Sequence, residues 1–187
     1  MTEASFLTNQ FLIAMPTMAD PNFARGVTYV CQHTPEGAMG LMINRLSDYR
    51  LGDVLQQMKL DTGIAAVAQT PVYIGGPVNP ERGFVLHEAG GEWDSSFRIN
   101  ERLCVTTSRD ILVAVAGGSG PARFLIALGY SGWSPGQLEQ EMVDNAWLTA
   151  EADLDLIFQT PLDQRWNAAV ALVGVNLSAL SDYAGHA

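Results

Sequence analysis

One stretch of this chain, Leu103 to Glu141, constrains the fold more than any other. It spells strand, capped helix, glycine stop, strand and capped helix in direct succession. Thr107 reads as an N-cap with Asp110 three residues on, a capping-box-like start. Ile111, Leu112 and Val115 follow at helical spacing, and Val113, Ala114 and Ala116 make the segment apolar almost all round, so a buried helix is expected. Gly117 and Gly118 stop it. Phe124 to Leu128 is an apolar run fit for a buried strand, and Gly129 and Gly132 break it. Ser134, Pro135 and Gln137 then read as cap, first helical residue and box partner. Two punctuated helices flanking an apolar strand predict a layered unit with one shared core.

The remaining segments fit around that unit. Gln10–Ala14 is a short strand closed by Met15-Pro16. Val27–His33 and Ala38–Asn44 flank the turn Thr34-Pro35-Glu36-Gly37, which predicts a β-hairpin. Leu51, Val54, Leu55 and Met58 mark one face of an amphipathic helix, and Asp61–Thr70 is a connection. Pro71–Gly75 and Gly83–His87 are strands on either side of Gly75-Gly76-Pro77, and Glu88–Asp94 is a polar surface loop. Phe97–Ile99, Leu103–Thr106 and Leu154–Phe158 read as further strands. Thr160-Pro161, with Asp163, opens a last helix whose buried face is Leu162, Trp166, Ala169, Val170 and Val173. The tail from Ser178 is small and polar. No repeat and no long linker appears, so residues 1–187 are expected to form a single domain.

Composition excludes several classes. Apolar residues make up 48% of the 187, enough for a full core. No apolar run approaches the ~20 residues of a membrane span, and the N-terminus lacks a basic region followed by an apolar one. Two cysteines cannot form a disulfide framework, so a reduced, cytoplasmic protein is expected. The net charge is −10, and from Ser134 onward eight acidic residues face a single base, Arg165. Such an acidic third repels nucleic acid and anionic membrane.

The order of motifs is recognisable. Gln10-Phe-Leu-Ile-Ala-Met-Pro, Gly37-Ala-Met-Gly-Leu-Met-Ile-Asn-Arg45, Gly75-Gly-Pro-Val and Arg82-Gly-Phe-Val-Leu-His87 come first. Thr107-Ser-Arg-Asp-Ile-Leu112, Gly129-Tyr-Ser-Gly-Trp133, Gly136-Gln-Leu-Glu139, Asn145-Ala-Trp-Leu148 and the terminal Ala184-Gly-His-Ala187 follow. Together they resemble the YqgE/AlgH family of bacterial proteins over nearly the whole chain. One departure is Arg45-Leu46, where the family commonly has Arg-Pro. The resemblance implies a single α+β domain with a coiled, partly split, mostly antiparallel β-sheet flanked by helices. It carries over no catalytic residue.

Candidate chemistry is sparse. Cys31 and His33 stand at i, i+2 on a strand and so are expected on one face, where a histidine can activate the thiol; Cys31 is the candidate redox-sensitive residue. Zinc needs further ligands, and His87, His186 and Cys104 lack motif spacing, so no metal and no cofactor are expected. Gly129-Tyr-Ser131-Gly-Trp133 fails as a nucleophile elbow because Trp133 replaces the last glycine. Gly117-Gly-Ser-Gly-Pro121 lacks the ending of a phosphate loop. Arg82, His87, Ser108 and Arg109 form a candidate anion-binding set at the start of the Thr107 helix, whose first amides lack intrahelical partners. Structural ion pairing, with Asp110 or Glu81, is the competing reading of these residues, and a structural role is favoured for Asn44-Arg45. Three functions remain: a non-enzymatic regulatory or interaction protein, which is favoured; a small-molecule (anionic ligand) binding protein or hydrolase using an Arg/His site; and a DNA-binding regulator, which the charge disfavours. The expected partner is an anionic small molecule or a protein, with no nucleic acid and no membrane.

Overall fold

The structure, a computed structural model, describes residues 6–21 and 23–174. The tail from Ser178, with His186 and the terminal motif, therefore lies outside the described residues. The strands are β1 (Gln10–Ala14), β2 (Val27–Thr34), β3 (Gly37–Met42), β4 (Leu46–Arg50), β5 (Pro71–Ile74), β6 (Val78–Glu88), β7 (Ser96–Arg98), β8 (Leu103–Thr106), β9 (Phe124–Trp133) and β10 (Trp147–Glu151). The helices are α1 (Leu51–Gln57), α2 (Ala65–Ala68), α3 (Arg109–Ala116), α4 (Gln137–Val143), α5 (Leu154–Phe158) and α6 (Arg165–Val173), the last preceded by a 3-10 turn at Leu162–Gln164.

The fold is α+β. The sheet runs β10-β1-β2-β3-β9-β6-β8-β7, with β4 and β5 branching from β9. It curls into a half-barrel. Every pairing is antiparallel except β5 with β9. The expected hairpin is β2–β3, with Thr34 opposite Gly37.

β9 organises the molecule. One of its edges takes β5 at Ile126–Leu128 and then β3 at Ser131–Trp133. The other takes β6, from Phe124 to Tyr130. The strands on either side of Gly75-Gly76-Pro77 thus do not pair with each other; the chain crosses over β9 to pass from one edge to the other. That crossing explains the glycines. A Cβ on Gly76 would lie 2.2 Å from the Tyr130 carbonyl, and one on Gly75 would lie 2.3 Å from the Gly129 oxygen. Gly129 has φ +75°, a conformation that favours glycine. Gly129 and Gly132 do not end the strand, as expected from sequence, but let it run on beneath the crossing to Trp133.

Three apolar clusters fill the layers. The largest joins Phe11, Tyr29, Leu41, Leu86 and Leu125 with Leu156, Trp166 and Val170 of α5 and α6. A second lies between the sheet (Val72, Val85, Ile126) and helices α1 and α3 (Leu51, Leu55, Ile111, Val115). The third sets Leu12 and Val30 against Leu138, Trp133 and Trp147. These inner faces carry the bulk of the hydrophobic driving force.

Several local expectations are corrected. Helix α3 starts one residue later than expected, with Ser108 at the cap position, and it is amphipathic rather than fully buried: Val113 is 46% exposed. Gln137 accepts from the Ser134 amide, as a box partner does, but the helix itself begins after Gly136 at φ +78°. The connection Asp61–Thr70 contains the short α2. Leu154–Phe158 is a helix rather than a strand; Asp153 caps it by accepting from the amides of Asp155 and Leu156. α6 begins only at Arg165, and Arg165 itself is buried, donating to the carbonyls of Thr160 and Ile43.

Candidate functional site

Strand β6 separates two clefts, one on each of its faces. The first, of about 720 Å³, opens between hairpin β2–β3 and strands β6, β8 and β7. Its floor is apolar, with Met39, Phe84, Val105 and Tyr130; its rim carries Glu36, Arg82, Ser96 and Phe97. The second, of about 650 Å³, lies between β6, β9 and helices α1 and α3, and holds Ser108 and Arg109.

The four candidate anion-binding residues do not converge. Arg82 and His87 are five residues apart on one strand, an odd separation, so their side chains leave by opposite faces. Arg82 lies over the Phe84 ring, 5.5 Å from its centroid, on the first cleft's side. Residues 79–82 bulge out of the pairing with β9 between Val78 and Gly83, which aims Arg82 at the cleft mouth. Arg82 makes no hydrogen bond and no ion pair among the described residues. The Tyr130 hydroxyl, in the same cleft, likewise bonds no other described residue, and the Tyr130 ring meets Phe84 edge-on at 5.7 Å.

His87 is fully buried on the other face. Its Nδ1 donates to the Glu88 carbonyl at 2.8 Å, and its Nε2 bonds the Thr106 hydroxyl at 2.7 Å. Burial lowers its pKa, which favours the neutral ring. It lines neither cleft. Ser108 is also committed: its hydroxyl accepts from the Ser95 amide at 3.0 Å and donates to Asp110 Oδ1 at 2.5 Å. Asp110 accepts from the amides of Asp94 and Ile111 as well, and these bonds, the Ser108 hydroxyl first, hold its carboxyl below the usual range. The anion at this helix terminus is internal. Arg109 donates one bond, to the Met58 carbonyl at 3.2 Å, tying α3 to the end of α1.

The premise for Cys31 fails for a different reason. The register of β2 against β3 shifts between Val30 and Gln32, so Cys31 is an inserted residue. The bulge breaks the alternation, and Cys31 joins the largest core cluster. His33 instead receives the Leu7 amide at Nδ1 (3.0 Å) and meets Glu139 at Nε2 (2.5 Å). Burial pushes the Cys31 thiol up to about 12. Cys104 is also buried and its pKa is raised by burial, with Arg98 and Ser96 pulling the other way. Among the described residues no three His, Cys, Asp or Glu side chains are grouped to hold a metal.

The AlgH-like family model matches residues 11–178. The chain belongs to the AlgH-like family. A UPF0301 protein of Thioalkalivibrio sulfidiphilus is 56% identical over 187 residues, covering 100% of both chains. Another, of Methylococcus capsulatus, is 54% identical over 185 residues, covering 99% of this chain and 98% of the relative. The solution structure of the AlgH protein from Pseudomonas aeruginosa superposes with a TM-score of 0.81 at 50% identity, covering 97% of each chain. A crystal structure of a Corynebacterium diphtheriae protein, 23% identical, shares the fold with a TM-score of 0.68, over 90% of this chain and 87% of that one.

Several motifs of this AlgH-like chain are architectural. Asn44 accepts from the Val27 amide and donates to the Arg25 carbonyl, and Arg45 donates to the carbonyls of Pro21 and Ala24. Asn44-Arg45 therefore pins the loop before β2. Arg123 pairs with Glu88 and Asp155, and Arg25 lies 4.4 Å over the Trp166 ring. Sequence reasoning missed Tyr130 and Phe97 as cleft residues. The signal for Tyr130 was available: it is an aromatic residue next to Gly129, directly after the aliphatic run Leu125 to Leu128.

Proposed function

We propose that this protein is a non-enzymatic interaction protein whose half-barrel cleft receives an anionic group carried on an apolar body. The observation that carries this reading is Arg82: an unpaired guanidinium held at the mouth of a cleft with an apolar floor, beside the Tyr130 hydroxyl. A guanidinium presents a planar fork of donors suited to a carboxylate. The floor supplies area for the apolar part of the ligand, and the volume lies in the range usual for small-molecule sites, roughly 300–1,000 Å³.

The hydrolase alternative draws no support from the same geometry. The Ser131 hydroxyl donates to the Gly75 carbonyl at 3.2 Å. Both described histidines spend both ring nitrogens on structural partners, and both thiols are raised away from the thiolate. A base adjacent to a free nucleophile is what such chemistry needs. Direct DNA binding needs a basic face, yet Arg25, Arg45, Arg123 and Arg165 are spent on structural contacts.

N-acetyl-phenylalaninate and its carboxamide, titrated against isotope-labelled protein, test the proposal. The carboxylate should bind at least about tenfold more tightly, a charge-assisted bond contributing about 1.5–3 kcal/mol. Arg82→Ala should abolish that preference. Equal binding of the two probes, or a preference that survives Arg82→Ala, would refute it.

A further inference from the structure

The second cleft has a feature that the first lacks. Its floor is the face of β6 and β9 that packs against α1 and α3, with Val85, Ile126 and Leu128 around Gly83. A Cβ on Gly83 would meet nothing within 4 Å, so the space above the strand at that point is open. Gly83 needs no left-handed conformation and relieves no close approach. A glycine inside a strand costs stability and leaves a bare, flat strip of peptide. Helices α1 and α3 do not close over it; Val54, Met58 and Leu112 form a wall instead.

Polar groups ring this apolar slot. Tyr49, Gln57 and Glu81 line it, and their side chains make no hydrogen bond among the described residues. Arg109 lines it too, and spends one donor of its guanidinium on Met58. Its other donors make no bond among the described residues. An apolar slot with an acceptor and a cation at its rim suits a ligand with an apolar body and polar groups at its edge.

We infer that the cleft between β6, β9, α1 and α3 is a second binding site, for a planar heteroaromatic ring that carries one acidic substituent. The ring lies on Gly83 between the aliphatic floor and Leu112. The acidic group meets the free donors of Arg109, and Glu81 accepts from a ring N–H. The site is distinct from the Arg82 cleft: the two share Phe84 and Thr107 in their walls, but Arg82 lines only the first and Arg109 only the second.

Indole-3-acetate and indole are suitable probes, titrated separately into isotope-labelled protein. Saturable shifts are expected for the amides of Gly83, Val85, Arg109, Ile126 and Leu128. Gly83→Leu should fill the slot and abolish binding of both probes. Arg109→Gln should weaken indole-3-acetate about tenfold while changing indole by less than twofold, and Arg82→Ala should change neither. Leu112→Trp blocks the slot from the helix side and replaces Gly83→Leu if that variant does not fold. The inference is overturned if no saturable shifts appear at those amides, if they cluster only around Arg82, or if a folded blocking variant binds as the parent does.

Discussion

Gly76→Ala should be among the most damaging single-methyl additions this protein can receive. The added Cβ would lie 2.2 Å from the carbon and oxygen of the Tyr130 carbonyl and 2.3 Å from the Ser131 nitrogen. These are backbone atoms of the central strand, so no side chain can rotate away. The crossing segment must lift instead. Lifting it breaks the bond from the Gly75 amide to the Leu128 carbonyl (2.8 Å), and the bonds from the Met42 amide (2.8 Å) and the Ser131 hydroxyl (3.2 Å) to the Gly75 carbonyl. Three such bonds contribute about 1 kcal/mol each. Overpacking adds about 1–3 kcal/mol. The expected loss is therefore about 4–6 kcal/mol, set against a total stability of about 5–15 kcal/mol. In a chain of this size that corresponds to a fall in Tm of roughly 8–24 °C. Urea unfolding followed by tryptophan fluorescence reads the loss, with Gly63→Ala as the control, since a Cβ there meets nothing. The control should change stability by less than ~1 kcal/mol. A Gly76→Ala variant within ~1 kcal/mol of the parent would refute the account of the crossing.

Other predictions concern single contacts. The hydrogen bond from His33 holds the Glu139 carboxyl below its usual value of 4.5. A depressed carboxylate contributes stability above its unfolded pKa and loses it as pH falls through the folded one, so Glu139→Gln should flatten the decline in Tm below about pH 4.5, and an unchanged slope would count against the pairing. Neither thiol should react with iodoacetamide in the native state at neutral pH, and on partial unfolding Cys104 should be labelled no later than Cys31, the reverse of the order expected from sequence. Asn44→Ala should destabilise the protein by about 1–3 kcal/mol and raise amide exchange at Val27; unaltered exchange would mean that the loop before β2 is held by other contacts. Because the sheet is continuous from β10 to β7, limited proteolysis near Ser134 should give no pair of separately folding fragments.

The parts of the fold legible in the sequence were those with local punctuation. The β2–β3 hairpin follows from Thr34–Gly37, and α1 from its apolar spacing. Leu154–Phe158 reads as a strand because five residues, four of them apolar, are too few to show a helical period; the Asp153 cap decides it. The sequence suggests a shorter β9 because glycine usually breaks a strand, whereas here its role is to admit another segment; that is a long-range fact which no local pattern carries. At the candidate site, the separation of Arg82 from His87 was legible in strand parity alone. The bulge at Cys31 was not, since one inserted residue reverses parity without changing composition. Ser108 shows a further limit. Its place beside Asp110 could be read, but not the Ser95 amide that a distant loop brings to it.

The position of β9 also dictates when the sheet can form during synthesis. Its partners β3, β5 and β6 all precede it in the chain, and each lacks its central neighbour until Trp133 has emerged. β1 waits longer still, because β10 ends at Glu151. At about 5–20 residues per second, the edges of β3, β5 and β6 that face β9 stay without their partner for several seconds on the ribosome, although β1–β2–β3 and β4–β5 can already pair among themselves. Such edges are the segments that cellular chaperones and neighbouring nascent chains capture. Folding yield in the cell should therefore depend on translation rate downstream of β6 more than on the stability of the finished protein.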